Sequence, residues 1–290
     1  MSFGAPSAVH GPGSFRTRAA LTAGVLIALL AALLAALLAL PNSAGAAGSG
    51  PMTHPELDWM GSTIRAHEGG STSTGGVATP LVTQTPGMDV SGYQGNVNWS
   101  AAWSNGGRFA YVKATEGTSY TNPYFAQQYN GSYNVGMIRG SYHFALPNSS
   151  GGAAQADYFV NHGGGWSGDG KTLPGALDIE YNPYGATCYG LSAGSMVNWI
   201  AAFSNQYRAR TGRYPTIYSS TNWWTQCTGN SSAFSGTNPL WIPRYSTSVG
   251  ALPAGWGFHT IWQYADSGVF PGDQDRFNGA YDRLQAFANG

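Results

Sequence analysis

From Gly87 to about Trp224, strand-like and helix-like patterns alternate along the chain. Short apolar or alternating runs predict strands, and longer runs with apolar residues three and four positions apart predict helices between them. Such alternation produces βαβ units around a parallel sheet, which constrains the fold more than any other feature of the sequence. Beyond Trp224 the rhythm changes, because two further strands have no good helix between them. We therefore expect an α/β fold in one barrel-sized domain.

The predicted elements follow the chain in this order. The strands are expected at 88–90, 109–114, 137–144, 173–180, 215–218, 240–242 and 259–264. The helices are expected at 99–103, 124–133, 153–160, 192–210 and 281–288.

The composition is poor in charge and rich in aromatic rings. Charged residues make up 9% of the chain, against about 25% in ordinary soluble domains, whereas aromatic residues reach 13%, with 10 Trp and 17 Tyr. Basic and acidic residues balance at 13 each, and lysine occurs only at Lys113 and Lys171. This balance leaves no basic surface for nucleic acid. It suits a neutral, hydroxyl-rich ligand such as a glycan, although some of these rings must simply form the core.

The N-terminus has the pattern of a secretory leader. Arg16 and Arg18 precede an apolar run over 19–40, and the small residues Ala44-Gly45-Ala46 offer a cleavage site. We interpret residues 1–47 as a signal peptide, with an uncleaved membrane anchor as the alternative. We thus expect a secreted, extracellular monomer without a stable membrane partner once the leader is removed.

Residues 48–86 read as a linker or pro-segment, because Thr, Ser, Gly and Pro dominate them. One mixed island, 54–60, interrupts this composition. The acids and histidines nearby lack metal-ligand spacing, so we expect no metal site and no cofactor and interpret these residues as solvated: His54, Glu56, Asp58 and His67. An autoinhibitory role of the island stays open, although nothing in it resembles a sugar.

Two acids stand at the end of the apolar strand predicted over 173–180. Side chains alternate along a strand, so Asp178 and Glu180 should project from one face with Ile179 on the other. Neighbouring carboxyls do not ionise independently, so one of the two pKa values should rise, as general acid chemistry near neutral pH requires. By itself this Asp-x-Glu pattern also fits a strand that enters a polar loop.

Other acids strengthen the catalytic interpretation. Working residues of parallel barrels lie at the C-terminal ends of strands. Asp89 occupies such a position, and Asp275 is expected just after the last strand. We assign Glu116 instead to an ion pair with Lys113, three residues before it, or to a cap.

Several ordered motifs together resemble the glycoside hydrolase family 25 lysozymes of the Chalaropsis type. They run from about Gly87 to the C-terminus and comprise Gly87-Met88-Asp89-Val90-Ser91-Gly92-Tyr93-Gln94-Gly95, Lys113-Ala114-Thr115-Glu116-Gly117, Arg139-Gly140-Ser141-Tyr142-His143-Phe144, Leu177-Asp178-Ile179-Glu180, Trp262-Gln263-Tyr264 and Asp275-Arg276-Phe277. The resemblance implies a (β/α)5(β)3 TIM-like barrel over residues 87–290. It also implies bacterial peptidoglycan as substrate, with cleavage of the β-1,4 bond between N-acetylmuramic acid and N-acetylglucosamine.

The resemblance also assigns roles. By matching motifs, the acid falls on Glu180, its partner carboxylate on Asp178, and two further site aspartates on Asp89 and Asp275. The sugar-contacting aromatics implied in the same way are Tyr142, Tyr218 and Trp262. Where the family has an aromatic residue or His after its Asp-x-Ser, this chain has Gly92-Tyr93, a small shift that keeps the aromatic ring.

The two acids of one strand face suggest a particular mechanism. Carboxyls on one face do not usually flank a scissile bond, so Asp178 is awkwardly placed as a nucleophile toward a sugar protonated by Glu180. We expect the substrate's acetamido oxygen to attack while Asp178 orients it, with a direct role for Asp89 or Asp275 as the alternative. A chitinase-like endo-N-acetylglucosaminidase and a non-catalytic glycan-binding barrel remain alternative functions.

The two cysteines, Cys188 and Cys227, should form a disulfide. An even cysteine count in an exported chain usually means a bridge. Both lie after neighbouring predicted strands, so a bond between them would hold the rim of the site.

Overall fold

The computed structural model describes residues 57–69 and 83–290 of the chain. The predicted leader and most of the predicted linker lie outside these residues. The strands are β1 Thr85–Val90, β2 Phe109–Glu116, β3 Tyr120–Thr121, β4 Ile138–Phe144, β5 Ala176–Asp178, β6 Thr216–Tyr218, β7 Leu240–Pro243, β8 Ile261–Ala265 and β9 Asp273–Phe277. The helices span Ile64–Glu68, Trp99–Ser104, Phe125–Asn134, Gly152–Asn161, Ala193–Thr211, Thr221–Thr228 and Tyr281–Asn289, with a 3-10 turn at Gly92–Gln94.

Eight of these strands close into a barrel. Their order around it is β1, β2, β4, β5, β6, β7, β8 and β9, and β9 returns to pair with β1. The short β3 is an antiparallel extension of β2 outside the barrel. The neighbours from β1 through β8 run parallel, whereas β9 is antiparallel to both β8 and β1.

Helices follow each of the first five barrel strands, and a C-terminal helix, Tyr281–Asn289, comes after the last strand, which confirms the (β/α)5(β)3 architecture. Between β7, β8 and β9 the described chain contains no helix. Several elements differ from the sequence interpretation, and among them the helix Ile64–Glu68 and the short β3 were not predicted. The helix Thr221–Thr228 was not predicted, and Asp273–Phe277 is a strand rather than a loop after the last strand. Its sequence, Asp-Gln-Asp-Arg-Phe, is too polar to display the apolar alternation that identifies an ordinary strand.

Side-chain alternation along the strands separates two apolar layers. Leu177 and Ile179 point outward and pack against the helices, while Ala176 joins the cluster that fills the barrel interior. That interior contains several aromatic side chains, and it accommodates large rings where a neighbouring strand has glycine. At Gly140, for example, a Cβ atom would lie 2.4 Å from the ring of Tyr111.

Local signals set the ends of the helices around the site. Ser192 accepts a hydrogen bond from the amide of Ser195 at the start of the longest helix, and Gly212 ends that helix with φ of 81°. Ser220 caps the helix Thr221–Thr228 in the same way. In the part of the chain that the structure describes, no helix is both long and apolar enough to cross a membrane.

The predicted disulfide is present between Cys188 and Cys227, whose Cα atoms are 5.3 Å apart. Cys188 lies in the loop after β5, and Cys227 lies in the helix after β6. The indole of Trp223 donates a 3.2 Å hydrogen bond to the backbone oxygen of Thr187 in the same region. The disulfide therefore joins the segments that follow two adjacent barrel strands, β5 and β6.

Candidate active site

The acids of the Asp-x-Glu motif lie at the C-terminal mouth of the barrel, as predicted. Strand β5 ends at Asp178, but the sheet-like hydrogen bonding continues, because Ile179 donates its amide to the backbone oxygen of Tyr218 at 3.0 Å. Ile179 is buried among the outer apolar residues. Asp178 and Glu180 consequently share the inner face of the barrel.

Glu180 is a buried carboxyl with a raised pKa. Its side chain is 1% exposed, and the loss of hydration raises its pKa to about 7. Its Oε1 accepts a 2.8 Å hydrogen bond from the backbone amide of Gly61, and its Oε2 accepts one from the hydroxyl of Thr63. These donors favour the ionised form and oppose the effect of burial.

Asp178 is equally buried, and among the described residues no hydroxyl, amide or ammonium group donates to either of its carboxylate oxygens, although the carboxyl of Glu180 lies within hydrogen-bonding reach. Burial and the neighbouring charge of Glu180 raise its pKa well above the ordinary value, against the opposing charge of Lys113. A buried carboxyl without such donors is costly unless it is protonated or meets a ligand. Asp178 is thus ready to accept a donor from a bound molecule.

Asp89 belongs to a second cluster across the barrel mouth, which is organised by Gln263. The side-chain nitrogen of Gln263 donates to Asp89 at 2.9 Å and to Asp273 at 2.8 Å. Burial raises the pKa of Asp89 to about 7, and burial together with the charge of Asp89 raises the pKa of Asp273 well above its ordinary value. Sequence reasoning missed Asp273 and Gln263, because their strand neighbours could not be read from the local pattern.

Asp275 lies inside a strand rather than after the last strand, and its carboxyl lies within hydrogen-bonding reach of the carboxyl of Asp89. It is inside β9, opposite Gly87, whereas Asp273 is opposite Asp89. Because β9 runs antiparallel, its N-terminal end is the one near the site, and Asp275 lies two residues deeper, or about 6–7 Å. There it accepts a 3.1 Å hydrogen bond from the indole of Trp241, and burial raises its pKa well above the ordinary value.

The three predicted sugar-contacting aromatics are all buried, but only Tyr142 and Tyr218 belong to the cluster of the barrel interior, whereas Trp262 packs in the outer cluster. Tyr142 accepts a 3.2 Å hydrogen bond from the amide of Met60, and Tyr218 donates one of 2.7 Å to Gln263. The indole of Trp262 donates to the backbone oxygen of Arg244 at 2.9 Å. Tyr245, which sequence reasoning did not select, also donates to Gln263 at 3.1 Å.

Residues 57–69, here called the inserted segment, lie in this mouth. The expectation that Asp58 is solvated is wrong, since it is 3% exposed and its Oδ1 lies 3.3 Å from the ammonium of Lys113. The predicted ion pair between Lys113 and Glu116 is present at 2.6 Å. His67 is exposed and stacks on Tyr181 with ring centroids 4.0 Å apart. His54 and Glu56 lie outside the described residues.

The described residues contain no group of three or more His, Cys, Asp or Glu that could hold a metal ion. The buried histidine nearest in sequence to the site aromatics, His143, hydrogen bonds through Nδ1 to Thr115 at 2.8 Å and through Nε2 to Gln155 at 2.9 Å. Burial lowers its pKa to about 3, so it stays neutral and acts as a structural residue. Acid and base chemistry in this mouth therefore falls to the carboxyls.

Residues 88–273 match the family model for glycosyl hydrolases family 25. The chain belongs to this family. It is 54% identical over 208 residues to the N,O-diacetylmuramidase of Chalaropsis sp, an alignment that covers 70% of this chain and 99% of that protein. It is 49% identical over 208 residues to lysozyme M1 of Streptomyces globisporus, covering 70% of this chain and 71% of that protein.

Solved structures of family 25 agree with the fold. The muramidase from Acremonium alcalophilum is 58% identical and superposes with a TM-score of 0.70, over 71% of this chain and 99% of that chain. The bacterial lysozyme from Streptomyces coelicolor is 48% identical, with a TM-score of 0.69, over 71% of this chain and 98% of that chain. Family membership makes the protein a glycoside hydrolase and confirms both the resemblance and the barrel inferred from sequence.

Proposed function

We propose that this protein is a secreted lysozyme that hydrolyses the β-1,4 bond between N-acetylmuramic acid and N-acetylglucosamine in bacterial peptidoglycan. The observation that carries the proposal is Glu180, a carboxyl with a pKa raised to about 7 at the mouth of a family 25 barrel. Such a group holds a proton near neutral pH and can pass it to the leaving glycosidic oxygen. Relatives named muramidase and lysozyme support the choice of substrate.

Asp178 takes the role of orienting the substrate in this proposal. Its two oxygens, which lack a hydroxyl, amide or ammonium donor among the described residues, suit the amide N–H of an N-acetyl group. A hydrogen bond to that N–H would position the acetamido oxygen to attack the anomeric carbon while Glu180 protonates the leaving oxygen. Water then opens the resulting oxazoline, with Glu180 now acting as base.

The alternative mechanism uses a direct carboxylate nucleophile. Asp89 lies at the level of the mouth, whereas Asp275 lies one layer deeper against Trp241. Between these two, the position at the mouth favours Asp89. The aromatic side chains Tyr142 and Tyr218, which belong to the interior cluster, would form the walls of the sugar site.

Analysis of the reducing ends produced from purified peptidoglycan tests the proposed function. A lysozyme generates new reducing muramic acid ends, which borohydride converts to muramicitol. New reducing glucosamine ends would instead indicate an endo-N-acetylglucosaminidase. If residues 83–290, which lack the inserted segment, released no new reducing ends, the proposed hydrolysis would be contradicted.

A further inference from the structure

The inserted segment, residues 57–69, fills the place where a glycan would have to bind. Met60 is fully buried and belongs to the apolar cluster of the barrel interior, together with Tyr142 and Tyr218. Its backbone is held on both sides: the amide donates to Tyr142 at 3.2 Å, and the oxygen accepts from Gln263 at 3.2 Å. The segment is thus packed into the barrel rather than lying on its surface.

We propose that the inserted segment is an autoinhibitory element that closes the active site of this enzyme until it is displaced. The proposal rests on the proposed function, since it assigns a regulation to that same site. It also assigns a function to residues 57–69, which lie in the range 48–86 that the sequence alone indicates as a linker or pro-segment.

Glu180 is blocked directly by the segment. The amide of Gly61 donates a hydrogen bond to one of its carboxylate oxygens, and the hydroxyl of Thr63 donates one to the other. A general acid needs one oxygen that carries a proton and faces the leaving group. With both oxygens accepting bonds from the segment, neither oxygen can face a leaving group while the segment is in place.

Gly61 explains how the chain approaches the acid so closely. Its φ is 88°, a conformation that residues with a side chain rarely adopt. A Cβ atom at this position would lie 2.5 Å from the hydroxyl of Tyr245, 2.6 Å from Oε1 of Gln263 and 2.8 Å from the hydroxyl of Tyr218. Any larger residue would therefore collide with buried polar groups of the site.

A buried ionic contact anchors the start of the segment. The ammonium of Lys113, which is fully buried, contacts both the backbone oxygen and the carboxylate of Asp58. Burial raises the pKa of Asp58 to about 6 despite this cation. When the segment leaves, Lys113 keeps its 2.6 Å pair with Glu116, so opening does not strand an unpaired charge in the barrel.

The end of the segment is held at the rim. Arg65 forms a two-pronged contact with Asp266, including a 2.5 Å bond from Nε to Oδ2. Glu68 accepts a 2.9 Å hydrogen bond from the hydroxyl of Tyr181, on which His67 stacks. These partly exposed contacts are individually weak, and they define where a displaced segment would separate from the barrel.

The barrel does not depend on the segment for its architecture. Residues 83–290 close the sheet by themselves, because β1 begins at Thr85 and pairs with both β2 and β9. The alignment with the Chalaropsis relative spans 208 residues and covers 99% of that protein. Residues 83–290 of this chain have the same length. A chain from residue 83 therefore retains every strand of the fold.

The experiment compares rates of peptidoglycan hydrolysis by four proteins. They are residues 48–290, the same chain with Gly61→Ala, the same chain with Gly69→Ala, and residues 83–290 alone. Gly69 is the matched control, since its φ is also positive, at 69°, but a Cβ atom there would meet nothing within 4 Å. Both substitutions strain the backbone, and only the first places an atom in the site.

We expect residues 83–290 and the Gly61→Ala chain to hydrolyse peptidoglycan at least about tenfold faster than residues 48–290, because a tethered segment competes at an effective concentration in the millimolar range. The Gly69→Ala chain should remain as slow as residues 48–290. Equal rates for residues 48–290 and its Gly61→Ala variant would overturn autoinhibition while leaving the proposed function intact.

If none of the four proteins released reducing ends, the proposed hydrolysis would fail, and cosedimentation with insoluble peptidoglycan would decide the present inference. Stronger binding by Gly61→Ala and by residues 83–290 than by the other two chains would support a segment that closes the site. Equal binding by all four would overturn it.

Discussion

The backbone amide of Gly61 donates a 2.8 Å hydrogen bond to Oε1 of Glu180, across 119 positions of sequence. This contact joins the proposed acid to a segment that precedes the barrel. It makes substrate access depend on release of residues 57–69.

The raised carboxyl pKa values predict a pH-dependent stability. In the folded chain, burial raises the pKa values of Glu180 and Asp89 to about 7, from their ordinary values of 4.5 and 3.8. The folded state then binds more protons than the unfolded state between these values and about 7, so the free energy of unfolding falls as pH rises through that range. Calorimetry of residues 48–290 should give a higher Tm at pH 5 than at pH 8.

The Glu180→Gln variant provides the control for this dependence, since it cannot ionise at that position. Its Tm should decline less steeply between pH 5 and pH 8 than that of the parent chain. A parent Tm that rises over this interval would contradict the assignment of raised pKa values.

The position of Glu180 could be predicted from sequence, but the position of Asp275 could not. Alternation along one strand is a local property, so Leu177, Asp178, Ile179 and Glu180 predict their own faces. The direction of β9 depends on its neighbours in the barrel, and Asp275 was consequently expected after the last strand rather than inside β9. Local pattern contains no information about strand direction.

The inserted segment was missed for a related reason. Its contacts join residues separated by 55 to 203 positions, such as Lys113 with Asp58 and Gln263 with Met60. The composition around it is that of a linker, and only a few apolar residues interrupt it. The useful signal was Trp59-Met60-Gly61, two large apolar residues followed by a glycine.

The disulfide should contribute measurably to stability. Cys188 and Cys227 are 39 positions apart, and closing a loop of this size stabilises a fold by roughly 3–4 kcal/mol in the chain-entropy model. The Cys188→Ser, Cys227→Ser double variant should therefore have a lower free energy of unfolding in urea. An unchanged urea midpoint would refute the stabilising role, and alkylation of both cysteines without reductant would refute the bond itself.

The proposed role of Asp178 predicts a dependence on the N-acetyl group. If the acetamido oxygen is the nucleophile, peptidoglycan lacking the acetyl group on muramic acid should be cleaved at least about 100-fold more slowly, and Asp178→Asn should lower kcat more than it raises KM. Competition between acetylated and deacetylated glycans measures the first effect. A glycosyl-enzyme adduct on Asp89, detected by mass spectrometry, would instead establish a direct nucleophile.

Turnover of the Glu180→Gln variant in residues 83–290 tests the central claim most directly, because the inserted segment is absent. The exposed acid Asp282 supplies a matched control, Asp282→Asn, outside the site. We predict that Glu180→Gln binds peptidoglycan like the parent barrel but releases reducing ends about 10² to 10⁴-fold more slowly, the usual contribution of a general acid. The control should keep the parent rate. Release of reducing ends by Glu180→Gln at the parent rate would contradict the assignment of Glu180 as the acid.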